Sequence, residues 1–150
     1  MTECTEMRIK VKKVSPTAVI PTHGSSFAAG YDLYADLPEE LVIRPHTTVT
    51  VDTGLQFELP EGTFAGIFAR SGLATREGLR PANCVGVCDS DYRGNYMVAL
   101  HNDSDEPRTV TPHEKIAQMI VMHYLPLEFE ETEELSDTAR GEGGFGSTGR

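Results

Sequence analysis

The sequence of 150 residues predicts an all-β fold, a jelly-roll-like β-barrel or sandwich with a flexible C-terminal arm. Short runs of β-prone residues dominate the chain, and the 14 glycines and nine prolines separate many of them at turns. Only one short segment, from Ser71 to Glu77, reads as helical, and Gly78 follows it as a natural stop. Many short strands joined by turns are typical of antiparallel sheets that pack face to face.

The strands are predicted in chain order from their apolar alternation. In "MRIKVKKV", Met7, Ile9 and Val11 alternate with basic residues, which is typical of a half-buried strand. The stretch "TTVTVDTGLQFELP" predicts one or two strands with a break near Gly54. Four further runs also predict strands: "GTFAGIFAR", "NCVGVC", "NYMVALHN" and "KIAQMIVMHYL".

Residues 83–98, "NCVGVCDSDYRGNYMV", predict a hairpin, because two β-prone runs flank the turn-rich "DSDYRG". Asp89 stands where the first run ends, a rigid position that suits a general base. The open amides and carbonyls of a hairpin can also read the edge of a base. From these residues alone, the alternative is a plain loop whose aspartates serve turn chemistry.

Two other stretches carry groups that can bind a phosphate or line a polar site. Arg70-Ser71-Gly72 follows a predicted strand and precedes the helical turn, an arrangement that favours phosphate binding, although Ser71 could equally be an ordinary helix cap. In "AAGYDLYA", Gly30 permits a tight backbone, and Asp32 reads most simply as a turn-capping residue. Gln118 is a polar residue in an apolar run and reads as a structural glutamine.

Composition changes sharply towards the C-terminus. We predict a β-domain over residues 1–125, an acidic solvated linker over 126–139, and a glycine-rich arm over 140–150. In that arm, Phe145 can stack on a base, Arg140 can bind a phosphate, and the hydroxyls of Ser147 and Thr148 can hold phosphate oxygens. The arm therefore reads as a lid for a nucleotide, against the simpler alternative of an unstructured tail.

The bulk properties exclude several classes of protein. A formal net charge of -10 makes the chain a poor binder of nucleic-acid backbone, although local arginines and a divalent cation would still permit one small polyanion. No apolar run has membrane-spanning length and no signal core is visible, so we expect no membrane association and a cytoplasmic location. Cys84 and Cys88 would share one face of a strand, and we expect both to be small buried fillers.

Taken together and in order, five motifs closely resemble those of the homotrimeric dUTP nucleotidohydrolases, or dUTPases: "AGYDLYA", "ARSGLA", "GVCDSDYRG", "KIAQM" and "RGEGGFGSTG". The resemblance implies a jelly-roll subunit in a homotrimer whose active sites are shared between subunits and closed by the C-terminal arm. It implies Mg²⁺-assisted hydrolysis of dUTP to dUMP and pyrophosphate, which limits uracil incorporation into DNA and supplies dUMP for thymidylate synthesis.

The resemblance also implies roles for individual residues. Asp89 matches the carboxylate that activates the attacking water, and Asp32 matches a residue that organises the site and holds a water on the metal. The positions that match phosphate-binding residues are Arg70, Ser71, Gly72, Gln118, Arg140, Ser147 and Thr148. The positions that match nucleoside-binding residues are Asn83, Val87, Cys88, Asp89, Tyr92, Met97 and Phe145.

Two residues depart from the family pattern. Cys88 replaces an aliphatic residue directly before the proposed base, a nearly isosteric change that is expected to be silent, although oxidation of the thiol would disturb Asp89. Lys115 replaces a common arginine, which is expected to loosen a structural ion pair. The alternatives that remain open are a dCTP deaminase-like or bifunctional enzyme of the same fold, a non-catalytic nucleotide-binding or signalling module, and a structural trimer with an incidental tail.

Overall fold

The structure is a computed structural model that describes residues 6–147 and residue 149. Within that part of the chain it contains 11 strands and one short helix, which confirms the predicted all-β class. The strands are β1 (Lys10–Lys13), β2 (Tyr31–Tyr34), β3 (Leu41–Ile43), β4 (Thr48–Asp52), β5 (Leu55–Glu58), β6 (Thr63–Phe68), β7 (Leu79–Pro81), β8 (Gly86–Asp89), β9 (Met97–Asn102), β10 (Arg108–Val110) and β11 (Lys115–His123). Helix α1 (Ser71–Glu77) lies between β6 and β7.

All strand pairs between these elements are antiparallel. The largest sheet has the order β2-β11-β6-β8, and a second has the order β4-β9-β7, while β1-β5 and β10-β3 form two-stranded pairs. Both larger sheets contribute to one buried cluster, through Leu33, Ala65, Ile67 and Met119 from the first and Val51, Val98 and Leu100 from the second. This is the arrangement expected of packed antiparallel layers.

Glycines end several of the elements where the sequence placed a break. Gly54 has a positive φ of 68° and separates β4 from β5. Gly78 has a φ of 70° and closes α1, with its amide donating to the carbonyl of Ala74 at 3.2 Å. Ser71 is the first residue of the helix rather than its cap, because Arg70 occupies the cap position in an extended conformation. The capping role considered for Ser71 is therefore wrong.

The predicted hairpin over residues 83–98 is wrong. The two runs do form strands, but β8 pairs with β6, whereas β9 pairs with β4 and β7 in a different sheet. The connecting residues 90–96 carry the chain from one sheet to the other. Alternating apolar residues identify a strand but do not select its neighbour, which is why the sequence pattern misled here.

Three smaller expectations also need correction. Asp32 lies within strand β2 and not in a turn, so the turn-capping role considered for it is wrong. Cys84 precedes β8 and is exposed, so it is not a buried filler, whereas Cys88 is half-buried within the strand. The N-terminal strand is shorter than its alternation predicts, because β1 begins at Lys10 and Met7 is exposed.

The C-terminal part is exposed from residue 123 to residue 142, and none of those residues after His123 belongs to a strand or helix. The domain boundaries at 125 and 139 remain predictions. No helix among the described residues is long and apolar enough to cross a membrane.

Candidate functional site

A cavity of about 490 Å³ lies where the C-terminal end of β6 turns into α1 beside β2 and β11. Three of the sequence motifs meet in it, because its lining includes Asp32, Arg70, Ser71, Gly72, Lys115 and Gln118. These residues are up to 86 positions apart in the chain (Gln118 minus Asp32), and the sheet order β2-β11-β6 brings them together. The structure thus brings together Asp32, Gln118 and the turn that was predicted to bind phosphate.

Gln118 is held in this cavity by its two neighbouring strands. It lies opposite Asp32 of β2 and Phe68 of β6, and its side-chain amide donates to the carbonyl of Ala69 at 2.9 Å. Gly30 lies against the oxygen of the same side-chain amide. A Cβ atom at residue 30 would overlap the Oε1 atom of Gln118. Gly30 is therefore required for the close approach between the first and fourth motifs.

We expect Gly30→Ala to displace Gln118 and break its bond to Ala69, at a cost of about 1–3 kcal/mol in the free energy of unfolding. Thermal or urea unfolding would measure this cost. Gly24→Ala is the matched control, because a Cβ at residue 24 meets nothing within 4 Å. Equal stability of the two variants would contradict the close-packing role of Gly30.

Asp32 joins two cations of the same cavity. Its Oδ1 atom lies 3.0 Å from Arg70 Nε, and its Oδ2 atom lies 3.6 Å from Lys115 Nζ. Arg70 also donates from Nη1 to the carbonyl of Lys115 at 3.4 Å. Lys115 therefore forms an ion pair with Asp32, although the distance is longer than that between Arg70 and Asp32. Both carboxylate oxygens of Asp32 face cations of the protein.

The nucleoside-side candidates lie on β8 and the segment that follows it. β8 is the edge strand of its sheet, so that among the described strands only β6 pairs with it. Its other edge leaves backbone amides and carbonyls open to a ligand. Val87 is 61% exposed and Asp89 is also exposed, whereas Cys88 points inwards.

Tyr92 and Tyr96 form a stacked pair just beyond Asp89. The Tyr92 amide donates to the carbonyl of Asp89 at 3.2 Å, and its hydroxyl donates to the carbonyl of Asn95 at 3.1 Å. The Tyr92 ring lies 6.2 Å from the ring of buried Tyr96, which in turn packs 4.4 Å from Phe57. Tyr96 thus connects the segment after Asp89 to the core through Tyr92 and Phe57. The sequence pattern marked Tyr96 only as part of a strand and did not indicate this role.

The thiol of Cys88 is poorly suited to oxidation. Burial raises the pKa of Cys88, so at neutral pH it is a protonated and weakly reactive thiol. Burial, and then the nearby Cys88, also raises the pKa of Tyr96. This environment therefore does not favour the redox sensitivity that was considered from the sequence.

A second cavity, of about 370 Å³, contains Asn83 and lies next to the first, because Gln118 lines both. Exposed Cys84 also lines this cavity, and its Sγ atom accepts a hydrogen bond from Arg80 Nη1 at 3.1 Å. Asn83 is exposed, and its side-chain nitrogen would lie 3.1 Å from a Cβ atom at residue 86, the start of β8. Met97, on the exposed side of β9, lines neither cavity.

Asp89 and the phosphate-binding turn lie at opposite ends of β6. Asp89 pairs with Phe64, whereas Gln118 pairs with Phe68 four residues further along the strand. At about 3.3 Å per residue, these positions are roughly 13 Å apart. One chain therefore does not bring the predicted general base to its own phosphate-binding cavity.

The C-terminal arm forms two consecutive turns away from both cavities. Arg140 Nε donates to the carbonyl of Gly143 at 2.7 Å, and the Ser147 amide donates to the carbonyl of Gly144 at 3.0 Å. Phe145 is fully exposed, and no described arm residue lines either cavity. Thr148 lies outside the described residues.

Comparison with known proteins shows which family the chain belongs to. Residues 17–149 match the family model of the dUTPases. The deoxyuridine 5'-triphosphate nucleotidohydrolase of Nautilia profundicola is 43% identical over 96% of this chain and 100% of that protein. The protein of the same name from Desulfitobacterium hafniense (strain DSM 10664 / DCB-2) is 49% identical over 87% of both chains.

A solved structure shows the same fold. It is the dUTPase of Staphylococcus bacteriophage 80alpha with dUPNHPP, which superposes with a TM-score of 0.83 at 26% identity and covers 95% of this chain and 99% of that one. The family model matches 133 consecutive residues, most of the chain (149 minus 17, plus one). Together with relatives above 40% identity, this match assigns the chain to one family. The chain belongs to the dUTPase family of enzymes.

Proposed function

We propose that this chain hydrolyses dUTP to dUMP and pyrophosphate by attack of an Asp89-activated water on the α-phosphorus. The observation that carries the proposal is the position of Asp89, exposed at the end of an edge strand and bonded through its carbonyl to Tyr92. A carboxylate on a rigid strand end is well placed to take a proton from a water. The relatives' shared name agrees with this reaction.

The open edge of β8 supports recognition of uracil. Backbone groups from Val87 to Asp89, with Asn83, offer a fixed pattern of donors and acceptors. Cytosine would leave part of that pattern unpaired in a desolvated site, which disfavours its binding. In the proposal, Tyr92 packs under the deoxyribose, where a 2′-hydroxyl would clash. Met97 and half-buried Cys88 lie beside the nucleoside, and Phe145 stacks on the base, a contact worth about 1–3 kcal/mol.

The proposed reaction is an in-line displacement. Asp89 accepts a proton as the water oxygen bonds to the α-phosphorus, and the bond to the bridging oxygen of pyrophosphate breaks. Ser71, Gly72 and Gln118 hold the phosphates from one cavity, and Arg140, Ser147 and Thr148 do so from the arm. Because Arg70 is paired with Asp32, we assign it to shaping the cavity as well as to attracting the substrate.

Mg²⁺ enters this proposal as part of the substrate. The described residues contain no group of three or more His, Cys, Asp or Glu placed to hold a metal, and Asp32 already faces two cations. The residues therefore do not fit a protein-borne Mg²⁺ site, and the water-mediated role of Asp32 stays untested. A Mg²⁺ ion on the triphosphate would reduce its repulsion from a chain of net charge -10.

We propose that the active site is completed in a homotrimer. Asp89 and the phosphate-binding cavity are separated along β6, so within one chain the proposed base has no phosphate-binding residues beside it. The exposed stretch from residue 123 to residue 142 is long enough to carry Phe145 onto another subunit. In the cell, the same reaction would limit uracil incorporation into DNA and supply dUMP for thymidylate synthesis.

Pyrophosphate release from dUTP, dCTP, dTTP and UTP with Mg²⁺ tests the proposal. We expect turnover of dUTP alone, at least about 10²-fold above the others in kcat/KM, because unpaired polar groups and steric clashes disfavour each analogue. Ammonia release from dCTP would instead support the deaminase alternative. Binding of dUTP without any turnover would show a nucleotide-binding module and contradict the proposed reaction.

A further inference from the structure

Three cations line the cavity beside Gln118, and their surroundings differ. Arg70 and Lys115 both pair with Asp32. Arg76, on the last turn of α1, is exposed, and among the described residues no carboxylate or hydrogen-bond acceptor contacts its guanidinium. Arg76 is therefore the cation of this cavity that can bind a ligand without first giving up a protein partner.

The side chain of Arg76 folds back over the phosphate-binding turn. A Cβ atom at residue 72 would lie 2.9 Å from the Nη2 atom of Arg76, so the guanidinium occupies the space that glycine leaves open. Residues 72 and 76 are four apart on the helix and share one face. Gly72 thus has a second role besides freeing the backbone of the turn, since it lets Arg76 reach the cavity.

Charge balance gives Arg76 a large expected effect. Three carboxylates, those of Asp32, Glu77 and Glu114, line the same cavity as the three cations. Without Arg76 the lining would carry a net negative charge and would repel a triphosphate. With it, a planar guanidinium with five donors faces the turn, and such a group binds phosphate oxygens in pairs.

We infer that Arg76 binds the polyphosphate of the nucleotide, as a substrate-binding residue outside the "ARSGLA" motif. This inference rests on the proposed function and extends it. Arg70 then serves mainly as a partner of Asp32, and Arg76 provides the positive charge that no protein carboxylate among the described residues neutralises. Because dUTP and dUMP differ only in the outer phosphates, the contribution of Arg76 is expected to appear with the triphosphate and to be small with the monophosphate.

The test compares Arg76→Gln with Arg44→Gln, which removes the same charge from an exposed arginine that lines neither cavity. Calorimetric titration measures the affinity for dUMP and for dUpNHpp, the triphosphate analogue present in the phage dUTPase structure. Steady-state kinetics measures KM and kcat. We expect Arg76→Gln to weaken dUpNHpp binding about tenfold or more and to raise KM by a similar factor. Affinity for dUMP is expected to change by less than about twofold.

Two further results decide the inference. Arg76→Lys should recover part of the affinity, because it restores the charge without the planar fork. Arg44→Gln should match the wild type in every measurement. If the wild type hydrolyses dUTP but Arg76→Gln binds dUpNHpp with unchanged affinity, only the role of Arg76 is overturned. A wild-type chain that neither binds dUpNHpp nor hydrolyses dUTP overturns the proposed function as well.

Discussion

Asp89→Asn is expected to remove dUTP hydrolysis while leaving nucleotide binding in place. An amide has nearly the shape of the carboxylate but does not accept the proton of the attacking water. We expect kcat to fall by about 10²–10⁴-fold, the range typical of a lost general base. The fold should be unaffected, because the Asp89 side chain is exposed and makes no ion pair or hydrogen bond among the described residues. Pyrophosphate release measures the rate, and titration with dUpNHpp measures binding.

Asp91→Asn is the matched control for this experiment. Asp91 is exposed, lies two residues after Asp89 in the segment that follows β8, and has the same side chain. Its substitution should leave kcat and KM within about twofold of the wild type, as for most surface changes. If Asp89→Asn hydrolyses dUTP as fast as the wild type, Asp89 is not the base. If both variants lose activity equally, the loss reflects the local charge and not proton transfer.

Two inactive chains are expected to regain dUTP hydrolysis when they assemble together. One chain carries Asp89→Asn, and the other ends at residue 139 and so lacks the arm. In a trimer whose sites take Asp89 from one subunit and the arm from another, random mixing of equal amounts leaves about a quarter of all sites with both groups intact, and one site in three within every mixed trimer. Co-expression with two different tags and purification through both would isolate the mixed assemblies for the pyrophosphate assay.

The controls for this experiment are the two homotrimers, each of which should be inactive and should sediment as a trimer. Mixed assemblies without activity would contradict a site that takes Asp89 and the arm from different subunits. A wild-type monomer with full activity in sedimentation analysis would contradict the trimer itself. The experiment tests the inference drawn from β6, where Asp89 and Gln118 pair with positions roughly 13 Å apart in one chain.

Much of the fold follows from local features of the sequence. The break at Gly54 between β4 and β5 and the end of α1 at Gly78 were both predictable, since each glycine adopts a positive φ that other residues disfavour. Seven of the eleven strands were predictable from apolar alternation, whereas β2, β3, β7 and β10 were not, and the order of the motifs indicated the family. These signals act over a few residues, where backbone preference and side-chain period decide the outcome.

Contacts between distant segments were not predictable in the same way. The sequence indicated a hairpin between β8 and β9, yet packing places these strands in different sheets. Nothing local marks Arg70 as the arginine that pairs with Asp32, or Arg76 as the one left free to bind a ligand. Residue types and spacing thus settle most of the strands and turns and all of the chemical groups that the chain contains. The partners of each group depend on which strands pack together, because those energies arise between residues far apart in the chain.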